Sequence, residues 1–127
     1  MASRQTIGFL GAGKMATALA QGFVRAGLAR PAEIVASDVI PQAREAFAKG
    51  TGSKTSASNL EVAEAAQILV LAVKPAQVAG VLAEIRDHLA PDQLVLSIAA
   101  GVTLARLEEG LPAKARVIRV MPNTPAL

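Results

Sequence analysis

The ten residues from Ile7 to Ala16, Ile-Gly-Phe-Leu-Gly-Ala-Gly-Lys-Met-Ala, constrain this chain more than any other stretch. A short apolar run enters Gly11-x-Gly13-x-x-Ala16, and a helical pattern follows at once. Strand, glycine turn and helix, in that order, is the setting in which this motif means dinucleotide binding. Gly11 permits the tight turn out of the strand. Gly13 has no side chain to hold a pyrophosphate away from the backbone. Ala16 is small enough for the helix to lie close to the strand. The helix N-terminus then offers free N–H groups and a partial positive charge to phosphates. The same residues also begin a phosphate-binding P-loop, Gly8-x4-Gly13-Lys14. That motif needs Ser or Thr next to ligate magnesium, and Met15 stands there instead. A glycine turn that binds nothing is the remaining alternative.

The rest of the chain repeats the strand–helix alternation about six times. Thr6 to Leu10 reads as a strand buried on both faces. Lys14 to Ala29 reads as a helix with Met15, Leu19, Phe23 and Ala26 toward the sheet, stopped by Gly27 and Pro31. Glu33 to Ser37 is a second strand closed by Asp38. Pro41 opens a helix to about Lys49, which ends at Gly50-Thr-Gly52. Lys54 and Thr55 form a minimal strand. Ser58-Asn-Leu-Glu61 fits a reciprocal capping box before a short helix to Ala66. Ile68 to Val73 is continuously apolar, as a central parallel strand should be. Pro75 opens a helix to about Leu89 with Val78, Val81, Leu82, Ile85 and Leu89 on one face. Gln93 to Ile98 is a strand, Thr103 caps a helix over 104–109, and Arg116 to Val120 is a last strand before a Pro-rich tail. The predicted class is α/β, a doubly wound, mostly parallel sheet flanked by helices. With 127 residues, 52% of them apolar, one domain with an ample core is expected.

Carboxyl ends of parallel strands line the ligand crevice of such a sheet, so the residues there carry the candidate chemistry. Asp38 follows the second strand about twenty residues beyond the glycine turn, where an acidic side chain takes the adenosine ribose hydroxyls. A carboxylate there favours NAD; alternatively, Asp38 only caps the following helix. Arg44, one turn on, points the other way, toward a 2′-phosphate. Lys74-Pro75 closes the most apolar strand, and Lys74 either meets ligand or is solvated at the strand mouth. Ala99, Ala100 and Gly101 let a flat ring or a ribose approach the backbone. His88, in the last turn of a helix, complements the dipole. Met15 is expected to pack in the core. No side chain is an obvious proton donor, which a hydride-transfer domain tolerates because the cofactor carries the chemistry.

Composition removes other classes. There is no cysteine, so disulfides, thiolate catalysis and cysteine metal sites are out, and the single histidine argues against a zinc site; no metal is expected. The net charge of +3 is spread without a basic cluster, and Trp and Tyr are absent, so no nucleic-acid partner is expected. No signal peptide and no membrane-spanning stretch is evident, so the expectation is a soluble cytoplasmic protein.

Four motifs in register, Gly8-Phe-Leu-Gly-Ala-Gly-Lys-Met-Ala16, Ala72-Val-Lys-Pro75, Ser97-Ile-Ala-Ala-Gly-Val-Thr103 and Arg119-Val-Met-Pro-Asn-Thr-Pro-Ala126, closely resemble pyrroline-5-carboxylate reductase over the length of the chain. The resemblance implies a Rossmann-type domain over residues 1–127. It implies hydride transfer from NADPH or NADH to the C=N carbon of 1-pyrroline-5-carboxylate, the step that makes L-proline. By position, Leu10, Gly11, Ala12, Gly13, Lys14 and Met15 form the pyrophosphate turn. Asp38 stands where relatives often carry Ser or Thr beside the adenosine ribose, and Asn59 lies on the adenosine side. Ala72, Val73, Lys74 and Pro75 border the ribose and nicotinamide, and Ile98, Ala99 and Ala100 run along the cofactor. Met121, Pro122 and Asn123 come close to the nicotinamide. Lys74 and Asn123 are positioning candidates at that end, with no proton-transfer role. The resemblance also implies a helical C-terminal domain, absent from this chain, that supplies the homo-oligomer interface and the substrate grip. The chain alone is then expected to bind dinucleotide weakly and to reduce no imine. A non-catalytic dinucleotide-sensing module shares the glycine turn and the acidic residue but not the Val-Lys-Pro or Met-Pro-Asn-Thr-Pro motifs. A same-fold reductase for another small imine or a hydroxy acid is the nearer rival.

Overall fold

A computed structural model describes residues 6–120. Its strands are β1 (Ile7–Leu10), β2 (Ile34–Ser37), β3 (Lys54–Ser56), β4 (Ile68–Leu71), β5 (Leu94–Ser97) and β6 (Arg116–Arg119). Its helices are α1 (Lys14–Arg25), α2 (Pro41–Thr51), α3 (Asn59–Ala65), α4 (Pro75–Ile85) and α5 (Leu104–Gly110). The strands form one sheet in the order β3-β2-β1-β4-β5-β6, and every pairing is parallel. This is the doubly wound α/β sheet the alternation predicts. The chain crosses from β3 past β2 and β1 to β4, so the switch point lies between β1 and β4, where such sheets open a crevice.

Side-chain alternation divides the core in two. Ile7, Phe9 and Val70 face α1 and α2 and pack with Ala16, Ala20 and Phe47. Leu10, Leu69, Leu71 and Val95 face the other way and pack with Val62, Leu82 and Leu107 of α3, α4 and α5. The chain has three phenylalanines, and all meet on the first face. Phe9 lies 6.1 Å from Phe23 and 5.9 Å from Phe47, centroid to centroid. α1 rests on the sheet through the small residues Ala16 and Ala20. A Cβ on Gly8 would stand 2.6 Å from Val62 Cγ1 and 2.7 Å from Ala66 Cβ, so α3 lies directly against β1.

Element ends follow local chemistry, with some departures from the sequence reading. α1 stops at Arg25 rather than near Ala29. Gly27 adopts a left-handed φ of 76°, and the Leu28 and Gly27 N–H groups donate to the Phe23 and Val24 carbonyls, a Schellman closure. Met15 does not pack in the core: it is 41% exposed. Ala26 is exposed too, and the sheet-facing stripe is Ala16 and Ala20 with half-buried Leu19, Phe23 and Val24. Alanines suffice there because the aromatic cluster fills the space beside them. The box before α3 is only half as predicted. Ser58 Oγ accepts the Glu61 N–H at 3.2 Å, but the Ser58 N–H donates to Ser56 Oγ rather than to Glu61. β4 ends at Leu71, two residues early, because Ala72 and Val73 turn into the crevice wall. His88 lies not in α4 but in a 3-10 turn after it, 3.4 Å from Glu64.

Candidate functional site

The site grows from what β1, β2 and β4 do at their carboxyl ends. The ladder continues past the last paired residues: Gly11 N–H donates to the Ser37 carbonyl and Ala72 N–H to the Leu10 carbonyl, each at 2.8 Å. These bonds hold the glycine turn flush against its neighbours. Gly11 has a φ of 103°, and a Cβ there would stand 2.7 Å from the Ala72 carbonyl oxygen. Gly13 faces open space, with nothing within 4 Å of where its Cβ would be. It is the N-cap of α1 and has no side chain to cap it. The first-turn N–H groups of α1 therefore point outward without intrahelical partners, the arrangement that receives an anion.

Asp38 fixes the turn from the side. Its Oδ2 accepts the Ala12 N–H at 2.9 Å and its Oδ1 accepts the Ile40 N–H at 3.0 Å. Asp38 does not cap α2, whose N-cap is Ile40 without a side-chain cap; its carboxylate ties down the segment before that helix and stands on the crevice wall. Arg44 Nη1 donates to the Asp38 main-chain oxygen at 2.7 Å. Ser37 Oγ donates to Asn59 Oδ1 at 2.6 Å, and Asn59 Nδ2 donates to Glu84 Oε1 at 3.0 Å. That relay links β2, α3 and α4 under the crevice floor.

A cavity of about 360 Å³ opens over these residues, lined by Gly11, Gly13, Asp38, Asn59, Ala72, Val73 and Lys74 among others. The structure thus gathers seven of the predicted cofactor residues around one space. Ala12 and Lys14 line an adjoining cavity of about 390 Å³ between α1 and α2, which Gly13 shares. Leu10 is fully buried beneath the turn. Met15 is exposed on the first turn of α1. Pro75 turns away, toward a separate groove between α4 and α5. Ile98 and Ala99 are buried beyond β5, with Ile98 packed in the same cluster as Ala12 and Ala16, and Ala100 is exposed. Lys74 is the N-cap of α4, its N–H donating to Gln77 Oε1 at 3.3 Å. Among the described residues, neither Lys14 nor Lys74 forms an ion pair. Met121, Pro122 and Asn123 lie outside the described residues.

The cavity also recruits Ser37, Val39, Ile40, Ala43 and Gln77, which the sequence did not single out for a site, and Val81, expected only on the apolar face of α4. Ser37 and Val39 flank the one acidic residue at the end of β2, a signal that could have found them. No spacing pattern links Asn59 to Glu84. Among the described residues there is no group of three or more His, Cys, Asp or Glu able to hold a metal ion, and no helix long and apolar enough to cross a membrane.

A glycine turn with outward N–H groups, at the switch point of a parallel sheet, is a dinucleotide cradle in geometry. Comparison with known proteins agrees. Residues 6–101 match the family model described as NADP oxidoreductase, coenzyme F420-dependent. The chain belongs to this NADP oxidoreductase family. Within reach of it in sequence is pyrroline-5-carboxylate reductase from Methanosarcina acetivorans, 43% identical over 122 residues, which are 96% of this chain and 45% of that protein. In structure the chain is similar to a pyrroline-5-carboxylate reductase from Coxiella burnetii, with a TM-score of 0.89 and 34% identity over 97% of this chain and 46% of that one. It is also similar to the Plasmodium falciparum pyrroline carboxylate reductase solved with NADP bound, with a TM-score of 0.81 and 32% identity over 95% of this chain and 43% of that one. This member of the NADP oxidoreductase family spans less than half the length of each of these relatives.

Proposed function

We propose that residues 1–127 form the cofactor half of a reductase of the pyrroline-5-carboxylate type, binding NADPH or NADH across the carboxyl ends of β1, β2 and β4. The observation that carries this reading is Gly13, an uncapped helix start with open space where a side chain would be, facing the cavity that Asp38, Asn59 and Lys74 also line. The turn from Leu10 to Met15 receives the pyrophosphate. Asp38 and Asn59 serve the adenosine end. Ala72, Val73 and Lys74, with Ala99 and Ala100, border the remainder, and the alanines there let a ring lie against the backbone. Bound, the reduced nicotinamide would supply a hydride to the C=N carbon of the already protonated imine of 1-pyrroline-5-carboxylate, giving L-proline. The protein's own part is to hold two rings face to face, which can supply much of the barrier lowering. Lys74 and Asn123 act there by position and move no proton. Substrate grip and self-association belong to a helical domain outside these residues, and the cytoplasm is the setting in which such a reductase would work, with neither nucleic acid nor membrane as a partner.

Titration with NADH and NADPH, followed by nucleotide fluorescence and by thermal unfolding, tests the cofactor reading. Ligand at a hundred times its Kd adds about 2.7 kcal/mol of stability, so the Tm should rise by several degrees. No saturable signal and no Tm shift with either nucleotide would sink it. The reductase reading is tested by fusing residues 1–127 to the remaining half of the Methanosarcina acetivorans relative. A chimera that folds and binds dinucleotide should oxidise it in the presence of 1-pyrroline-5-carboxylate. One that binds yet leaves the imine untouched counts for the sensing module instead.

A further inference from the structure

We propose that this chain selects NADH over NADPH, and that Asp38 makes the selection. The inference rests on the dinucleotide reading above and adds which dinucleotide. Two side chains near the end of β2 point in opposite directions: an acidic residue suits a ribose 2′-hydroxyl, and an arginine suits a 2′-phosphate. The structure separates them. Asp38 lines the cavity together with Val39, Ile40 and Ala43, and Arg44 is not part of that wall. The Arg44 guanidinium is turned onto the main chain, with Nη1 2.7 Å from the Asp38 carbonyl oxygen. The two residues between Asp38 and Pro41 are the exposed hydrophobes Val39 and Ile40, at 75% and 54%, and they offer a phosphate no side-chain donor. The cation on the cavity wall, Lys74, follows β4, two strands away from β2.

Asp38 cannot readily step aside. Its two carboxylate oxygens accept N–H groups from different elements, Ala12 in the glycine turn and Ile40 before α2. Ala12 is 1% exposed, so a rotation of Asp38 would take the acceptor from a buried N–H. The anchoring still leaves lone pairs to spare. A carboxylate has about four acceptor sites, and the two N–H groups use two of them. A ribose diol brings hydroxyl donors to the rest. A 2′-phosphate brings only acceptor oxygens and further negative charge against a fixed anion, in a cleft where like charges are poorly screened. The preference runs against the cofactor in the family's description, and it comes from this chain's own residues at positions 38 to 40.

The test is the affinity of the 127-residue chain for NADH and NADPH, with AMP and adenosine 2′,5′-bisphosphate as probes of the adenosine end alone. NADH should bind about tenfold more tightly than NADPH or better, and AMP should beat the bisphosphate by a similar factor. Asp38→Asn keeps the shape and an acceptor for the Ala12 N–H while removing the charge. It should bring the ratio to within about threefold, chiefly by tightening the 2′-phosphorylated ligands. Arg44→Ala should leave the ratio of the unaltered chain where it was. Equal or tighter binding of NADPH by the unaltered chain overturns this inference and leaves the dinucleotide reading standing. Failure of both dinucleotides overturns the two together. If Asp38→Asn does not fold, the AMP comparison on the unaltered chain decides the matter by itself.

Discussion

At Gly11 the backbone sits at a φ of 103°, and a Cβ would press within 2.7 Å of the Ala72 carbonyl oxygen. Backbone cannot swing away as a side-chain tip can, so Gly11→Ala is expected to cost about 3 kcal/mol in denaturant unfolding. Gly13 is the opposite case. Its φ of −80° is open to any residue and nothing crowds its Cβ, so Gly13→Ala should lose less than about 1 kcal/mol of stability. Its methyl would instead stand where phosphate approaches, and NADH affinity should fall about tenfold, or ~1.4 kcal/mol. Paired measurements of unfolding and Kd check both; a Gly13→Ala chain that binds normally would deny the turn its role. The motif alone distinguishes these glycines in principle, since its first glycine makes the turn and its second admits the ligand. Asp38 was only half legible. Its position at the end of β2 marked the crevice wall, but its bond to Ala12 joins residues 26 apart and needed the folded turn. Met15 is exposed rather than packed in the core; period alone cannot tell the first turn of α1 from the turns that rest on the sheet.

Between elements, α3 lies closely on β1. Gly8→Ala would drive a methyl into Val62 and Ala66, and overpacking of this kind costs about 1–3 kcal/mol. A double-mutant cycle with Val62→Ala should return part of that loss, because the first clash is with a Val62 methyl. Additive losses would mean that α3 does not sit as closely as the structure has it. Strand and helix identities were readable throughout, since continuous apolar runs marked buried parallel strands and Pro41, Pro75 and Ser58 marked helix starts. Ends were less so. Gly27 announced that α1 would stop, but the Schellman bonds place the last helical residue two positions before it. The missing arm of the Ser58 box has a plain cause: Ser56 lies two residues upstream and reaches the same N–H first.

Across the whole molecule, the two ends of the sheet divide the work. The carboxyl end carries the crevice. Near the amino end of β5, Gln93 is 8% exposed; its Nε2 donates to the Ala63 and Ala66 carbonyls and its Oε1 accepts the Ala90 N–H. Gln93→Leu would leave these backbone groups unpaired in the interior. It is expected to destabilise the fold by about 2–4 kcal/mol while leaving NADH affinity within about twofold of the unaltered chain. A large change in affinity with little in stability would reverse that division. Alternation of strands and helices made the sheet foreseeable from sequence. The relay from Ser37 through Asn59 to Glu84 was not, because it joins three elements whose mutual placement only the topology decides. That topology has a consequence in time. β1 leaves a ribosome before β4 does, yet it is the strand that pairs on one side with β2 and on the other with β4, so Ile7 waits for Ile68. Until β4 has been synthesised, the glycine turn has a neighbour on one flank only, and its Leu10 carbonyl lacks the Ala72 N–H. The glycine motif is therefore completed only after β4 has followed it, and nascent chains ending before Leu71 should have no competent phosphate cradle.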